Sequence, residues 1–76
     1  MVVAYVMVKA RTGNAGRLRD EVGAIDGVVS ANIVAGDVDI IAKAEVDSPG
    51  DIKGLAADGI QSLDGVESTH TYVGMD

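Results

Sequence analysis

Two acids two residues apart, Asp37 and Asp39 in Ala35-Gly36-Asp37-Val38-Asp39, have a spacing that could do chemistry, because paired carboxylates can divide general acid and general base work. Residues two apart in a strand share a face, but Gly36-Asp37 reads as a turn, so the spacing alone does not make the pair converge. The cheaper expectation is a turn former followed by a solvated strand residue. His70 stands between Thr69 and Thr71 and, by alternation, faces opposite to both. A lone strand histidine is expected as a packed or interfacial residue rather than a ligand, and threonine simply suits strands. Lys9, Arg11, Arg17 and Arg19 gather without the aromatic platform on which single-stranded nucleic acid stacks, so a solvated, partly self-paired surface accounts for them. No G-x-x-x-x-G-K-[ST] or G-x-G-x-x-G spacing supports nucleotide binding. With no cysteine and one histidine, disulfides, thiolate nucleophiles and the usual zinc sets are excluded, and no metal or other cofactor is expected.

The elements that must position these residues come in two copies of one plan. Ile25-Asp26-Gly27-Val28-Val29-Ser30 is answered 38 residues later by Leu63-Asp64-Gly65-Val66-Glu67-Ser68, an offset of half the chain. In the first half, Val2 to Lys9 is apolar at both alternating sets, which predicts a central strand covered on both sides. After the break Thr12-Gly13-Asn14, the residues Ala15, Leu18, Val22 and Ile25 recur at helical spacing, predicting a helix over roughly 15–25 with Asn14 as its N-cap. Asp26-Gly27 ends it, and Val29, Ala31, Ile33 and Ala35 then alternate with Ser30 and Asn32 as a half-buried strand.

In the second half, Val38, Ile40, Ala42, Ala44 and Val46 form one apolar face opposed by Asp39, Ile41, Lys43 and Glu45, which predicts a strand. Gly36-Asp37 between the two strands fits a two-residue type II′ hairpin turn. Ser48-Pro49-Gly50-Asp51 offers an N-cap, a proline at the first helical position and a capping-box acid, and Ile52, Leu55, Ala56, Gly59, Ile60 and Leu63 share one helical stripe. Asp64-Gly65 closes that helix, and Val66 to Val73 alternates as a fourth strand. A β-α-β-β-α-β order is the ferredoxin-like α+β unit, a four-stranded antiparallel sheet in spatial order 4-1-3-2 with two helices on one face. The helices carry Gly16, Gly23, Gly54 and Gly59, for which a close helix-to-sheet approach would be one return.

Composition says what such a unit needs. Seventy-six residues make one domain, spanning 1–76, and the aliphatic set is light, with twelve Val and ten Ala against three Leu, two Tyr and no Phe or Trp. A chain this short buries only about 60% of its unfolded surface, so association is expected to supply the rest. The sheet face left bare by the helices would carry Tyr5, Met7 and Ile41, and a second sheet stacked on it by twofold symmetry would cover them as a dimer interface. A net charge of −6 repels phosphate backbones, so no direct nucleic-acid contact is expected. Nine Asp against three Lys suits solubility in strong salt, as in a halophilic protein. The early apolar run Val2–Val8 is too short to span a bilayer and has no basic leader, so a cytoplasmic protein without membrane contact is expected.

Val34-Ala35-Gly36-Asp37-Val38-Asp39-Ile40, with Gly65-Val66-Glu67-Ser68-Thr69-His70-Thr71-Tyr72-Val73 after the second helix, resembles the effector-binding domain of the Lrp/AsnC family, the feast/famine regulators of amino-acid metabolism. The likeness runs from Ala4 to Met75. It implies a dimeric α/β barrel formed through the sheets, further assembly into rings such as octamers, and small effectors such as amino acids held between subunits. Gly36 and Asp37 would then offer turn backbone to the ligand, Asp39 would meet its ammonium group, and Thr69 and Thr71 would line the pocket. An α-amino acid needs an acceptor for its ammonium and donors for its carboxylate, and these residues supply both. The family's usual aromatic before the second acid is Val38 here, and the helix-turn-helix domain that precedes this one in full regulators has no counterpart before Val2. The expectation is a stand-alone, non-enzymatic module that binds an effector, forms homo-oligomers and modulates transcription, with full-length Lrp/AsnC regulators as partners. Two other readings stay open: a small dimeric α/β-barrel enzyme such as a monooxygenase, and a purely structural assembly domain.

Overall fold

The computed structural model describes residues 1–11 and 13–75; Thr12, part of the break before the first helix, and Asp76 lie outside them. The element order is β1 (Val2–Ala10), α1 (Ala15–Gly23), β2 (Val28–Ile33), β3 (Ile40–Val46), α2 (Pro49–Lys53) running on as a π-helix over Gly54–Ile60, and β4 (Val66–Val73). Among the described residues one antiparallel sheet forms in the order β2-β3-β1-β4, the expected ferredoxin-like arrangement with β1 and β3 in the centre. The alternation of the central strands sets the layers. Ala4, Val6 and Val8 of β1 pair with Ala44, Ala42 and Ile40 of β3, and all six are fully buried. Leu18 and Val22 of α1 and Leu55 and Ile60 of the second helical segment close over them, so both helices lie on one face and the core is a single layer.

Local signals explain most of the boundaries. The Asn14 side chain accepts from the Arg17 amide at 3.3 Å, as an N-cap does, and the Asp51 carboxylate accepts from the Ser48 amide at 3.2 Å with Pro49 opening the helix. An Arg17–Glu21 ion pair one turn apart supports α1, which ends two residues earlier than the spacing predicts. Ile25 continues by a tighter bond from its amide to the Val22 carbonyl, 3.2 Å.

The internal repeat is conformational as well as textual. Gly27 and Gly65 take φ of +98° and +99°, and in each copy an amide bonds back across the turn, Val28 to Ile25 and Val66 to Leu63. Each glycine carbonyl then accepts from the sister copy, Gly27 from the Glu45 amide at 2.8 Å and Gly65 from the Arg11 amide at 2.6 Å. The strand that follows carries an extra residue at equivalent places. Pairing skips Val29 between Val28 and Ser30, and Glu67 between Val66 and Ser68.

Four expectations are corrected. Val29 does not face the core, since the bulge hands that position to Val28 and leaves Val29 53% exposed. The second helix is not a uniform α-helix. Its latter part is π-helical, closing with the Gln61 amide on the Ala56 carbonyl at 2.9 Å, where glycines at 54 and 59 weaken the regular turn. Finally, β2 and β3 are antiparallel neighbours as expected, but not through a two-residue turn. The connection spans residues 34–39 because the Asp39 amide turns away to the Val8 carbonyl, leaving the Val34 amide on the Asp39 carbonyl as its closing bond. The helical glycines do not in general permit a closer helix-to-sheet approach: a methyl group at Gly16 or Gly54 would meet nothing, and at Gly59 it would meet Ile25 at 3.4 Å.

Candidate functional site

The β2–β3 connection is fixed to the end of β1 through one residue. Asp39 accepts the Ala10 amide on Oδ2 at 2.8 Å and donates its own amide to the Val8 carbonyl at 3.0 Å. This occurs where β1 and β4 shift register between Lys9 and Ala10, so the carboxylate satisfies an amide at an irregular point of the ladder. Asp37 and Asp39 therefore play different parts: Asp39 is half-buried and bonded to backbone, while Asp37 is exposed at the mouth of the turn. The geometry gives no convergent acid pair.

Asp37 and Val38 instead form one wall of a groove of ≈ 430 Å³ on the sheet face away from the helices. Its floor and far wall come from β1 and β4, and strand register explains the set. Met7 pairs with His70 and Lys9 with Ser68, so all four side chains project to one side, and Tyr72 lies two residues beyond His70 on the same side. The bulge at Glu67 adds a fifth polar neighbour, because an extra residue re-aims consecutive side chains toward one face. Among the described residues, Lys9, Asp37, Glu67, Ser68 and His70 have no side-chain partner. Two basic side chains, two acids and a hydroxyl thus border a groove whose apolar part is Met7, Val38 and Tyr72.

The remaining sequence-predicted residues fall in two other places. Thr69 and Thr71 pair with Val8 and Val6, which puts them on the helix-covered side of β4, opposite to His70 as alternation predicts. Thr69 is half-buried and accepts from Gln61 Nε2 at 2.7 Å; Thr71 is exposed. Within one protomer they do not meet the Asp37 side of the hairpin. Tyr5, Met7 and Ile41 lie together on the open sheet face, Met7 directly across from Ile41, with Tyr5 39% exposed. Sequence reasoning missed their neighbour Tyr72, which pairs with Tyr5 and is 59% exposed. It also treated Lys9 as ordinary solvated surface and gave Ser68 no role. The signal that finds these residues is register, available only once β1 and β4 are paired.

A second cleft, ≈ 590 Å³, lies between the Gly27 turn, the end of β3 and the second helix. Asp26, Glu45, Asp47, Asp51 and Asp58 line it without a basic residue, so it repels anions. Among the described residues no three of His, Cys, Asp or Glu are placed to hold a metal ion. Among the described residues no helix is long and apolar enough to cross a membrane.

The strand order and the two helices on one face define a small ferredoxin-like α+β domain. The family profile of the Lrp/AsnC ligand binding domain matches residues 3–76, and the chain belongs to that family. Comparison with curated protein sequences gives no significant match. Among solved structures, TTHA0845 from Thermus thermophilus superposes with a TM-score of 0.94 at 25% identity, covering 100% of this chain and 95% of that one. AsnC of E. coli superposes at 0.90 with 18% identity, and the regulator NMB0573 of Neisseria meningitidis, solved as a complex with L-Met, at 0.86 with 18% identity. Each covers 99% of this chain, which spans 51% and 50% of those two regulators.

Proposed function

We propose that this domain is a non-enzymatic sensor that binds a small amino-acid effector between subunits and, through its own assembly, modulates transcription regulators of the Lrp/AsnC type. The observation that carries the reading is the match of residues 3–76 to a ligand-binding domain. The L-Met complex of NMB0573, a regulator with the same fold, supports an amino acid as the ligand class. In this reading Gly36, Asp37 and Asp39 of one protomer meet the ligand, and Thr69 and Thr71, which lie on the other side of β4, come from an adjoining protomer. Asp39 keeps Oδ2 on the Ala10 amide and turns its second oxygen to the effector's ammonium group. Tyr5, Met7 and Ile41, joined by Tyr72, are covered by a second sheet in the dimer, and dimers assemble into a ring such as an octamer.

Calorimetric titration of the assembled protein with a panel of amino acids, in salt that keeps it folded, tests the reading. Saturable binding of one or more at micromolar to millimolar concentration is the expected result. No binding by any amino acid at millimolar concentration contradicts it.

A further inference from the structure

We propose that the exposed edge of β2 is the contact through which dimers of this chain join one another, two β2 strands pairing antiparallel about a twofold axis at Ala31 so that their sheets run on as one. The inference rests on the sheet-face dimer proposed above and names a second surface for its further assembly. β2 and β4 are the two edges of the sheet, and an edge presents unpaired backbone donors and acceptors that proteins commonly guard with charge. β4 carries Glu67 at its bulge and His70 further on. β2 has no such guard: residues 27–36 hold no ionisable side chain, although Asp26 and Asp37 stand immediately on either side. In a chain of net charge −6 this segment can face its own copy without setting acid against acid. It is also apolar where it meets solvent, Val29 being 53% and Ile33 48% exposed. Its bulge lies at the start of the strand, between Val28 and Ser30, and leaves Ser30–Ile33 in regular register with β3. Pairing centred on Ala31 sets Val29 against the partner's Ile33 and Ser30 against the partner's Asn32, so the exposed apolar side chains cover each other and a hydroxyl meets an amide. The same axis brings α1 beside its copy. Gly23 lies over Ala31, a Cβ there standing 3.9 Å from Ala31 Cβ, and a Cβ at Gly16 two turns earlier would meet nothing within 4 Å. Bare backbone on that stripe lets two helices approach closely. One strand edge is far smaller than the ~800 Å² per partner of a standard interface. It therefore acts when the face dimer presents two edges at once, and not between free monomers.

Sedimentation of the wild type, Ile33→Lys, Val73→Lys and Ile41→Lys at one protein concentration and one salt tests the contact. The wild type and Val73→Lys, which charges the β4 edge, are expected to sediment as species larger than a dimer, Ile33→Lys as a dimer and Ile41→Lys as a monomer. Ile33 and Val73 are exposed, so both variants should keep the wild-type circular dichroism. A wild type that stops at the dimer, or an Ile33→Lys that assembles as the wild type does, overturns the edge contact and leaves the face dimer standing. A monomeric wild type removes both. The register is tested by disulfide formation, since the chain has no cysteine of its own. Under mild oxidation Ser30→Cys mixed with Asn32→Cys should give at least fivefold more linked pair than either variant alone, because directly opposite positions come within disulfide reach and diagonal ones do not. Adding Ile33→Lys to both should abolish the excess. Equal linkage in the mixture and in the single variants, or an excess that survives Ile33→Lys, overturns the pairing.

Discussion

Asp39 shows how one residue can be read two ways and what separates the readings. Its carboxylate holds the Ala10 amide where the β1–β4 ladder slips, so removing it leaves a part-buried donor unsatisfied. Hydrogen bonds to charged acceptors contribute ~1.5–3 kcal/mol, and Asp39→Ala is expected to lower unfolding stability by about 1–2 kcal/mol in urea titration at fixed salt. Asp39→Asn keeps an oxygen acceptor and should lose less than half as much. If Asp39 also meets the effector's ammonium, the Asn variant should bind amino acids at least fivefold more weakly while remaining folded. Equal affinities would confine Asp39 to the structural role. Nothing in Gly36-Asp37-Val38-Asp39 announces the backbone bond, because its partner is 29 positions away and the slip that exposes the Ala10 amide is made by a third strand.

At the level of elements, the repeated turn makes a sharper comparison than any single glycine. Gly27 and Gly65 share a left-handed backbone, a conformation that costs a non-glycine residue ~1–3 kcal/mol, but their surroundings differ. A Cβ at Gly27 would stand 2.8 Å from Leu55 Cδ1 in the packed core, whereas at Gly65 it would meet Nη2 of the exposed Arg17 guanidinium, which donates to the Asp64 carbonyl, at 3.3 Å. Gly27→Ala should therefore destabilise more than Gly65→Ala, by at least about 1 kcal/mol, and equal losses in chemical denaturation would show that backbone strain alone decides both. Gly54 offers the reverse case. It has αR dihedrals and open space at its Cβ, so Gly54→Ala should raise stability by ~0.5–1 kcal/mol in the same assay. The element order, strand pairing and buried faces were legible in period-2 and period-3.6 patterning because burial enforces those periods. The bulges at Val29 and Glu67 were not, since Val28 and Val29 are both apolar and alternation reads equally well through either. The π-helical stretch escaped for a related reason: Leu55, Ala56 and Ile60 fit a 3.6-residue stripe as well as a wider one.

The whole molecule is a half-sandwich with one finished face. It measures 33 × 22 × 17 Å between Cα extremes, so its broad side is of the order of the ~800 Å² that each partner contributes to a standard interface. The open face sets the Tyr5–Tyr72 pair beside Met7 and Ile41, and the light core behind it consists of Val, Ile, Leu and Ala. Placing a charge there should prevent the proposed dimer: Ile41→Lys is expected to sediment as a monomer at concentrations where the wild type does not, and an unchanged sedimentation coefficient would place the interface elsewhere. The groove lies at the hairpin end of the same face and shares Met7 and Tyr72 with it, so binding there and association should be linked reciprocally, each strengthening or weakening the other by the same factor. The candidate site was legible in the sequence as far as the hairpin. Its other wall was not, because Lys9 and Ser68 are 59 positions apart and only antiparallel pairing makes them neighbours.

Whether this small acidic domain senses amino acids is decided by calorimetric titration of the assembled wild-type protein with each amino acid in turn. Saturable binding of at least one amino acid is the expected result. A flat titration with every amino acid at millimolar concentration, by protein shown to be folded and assembled in the same buffer, would contradict it.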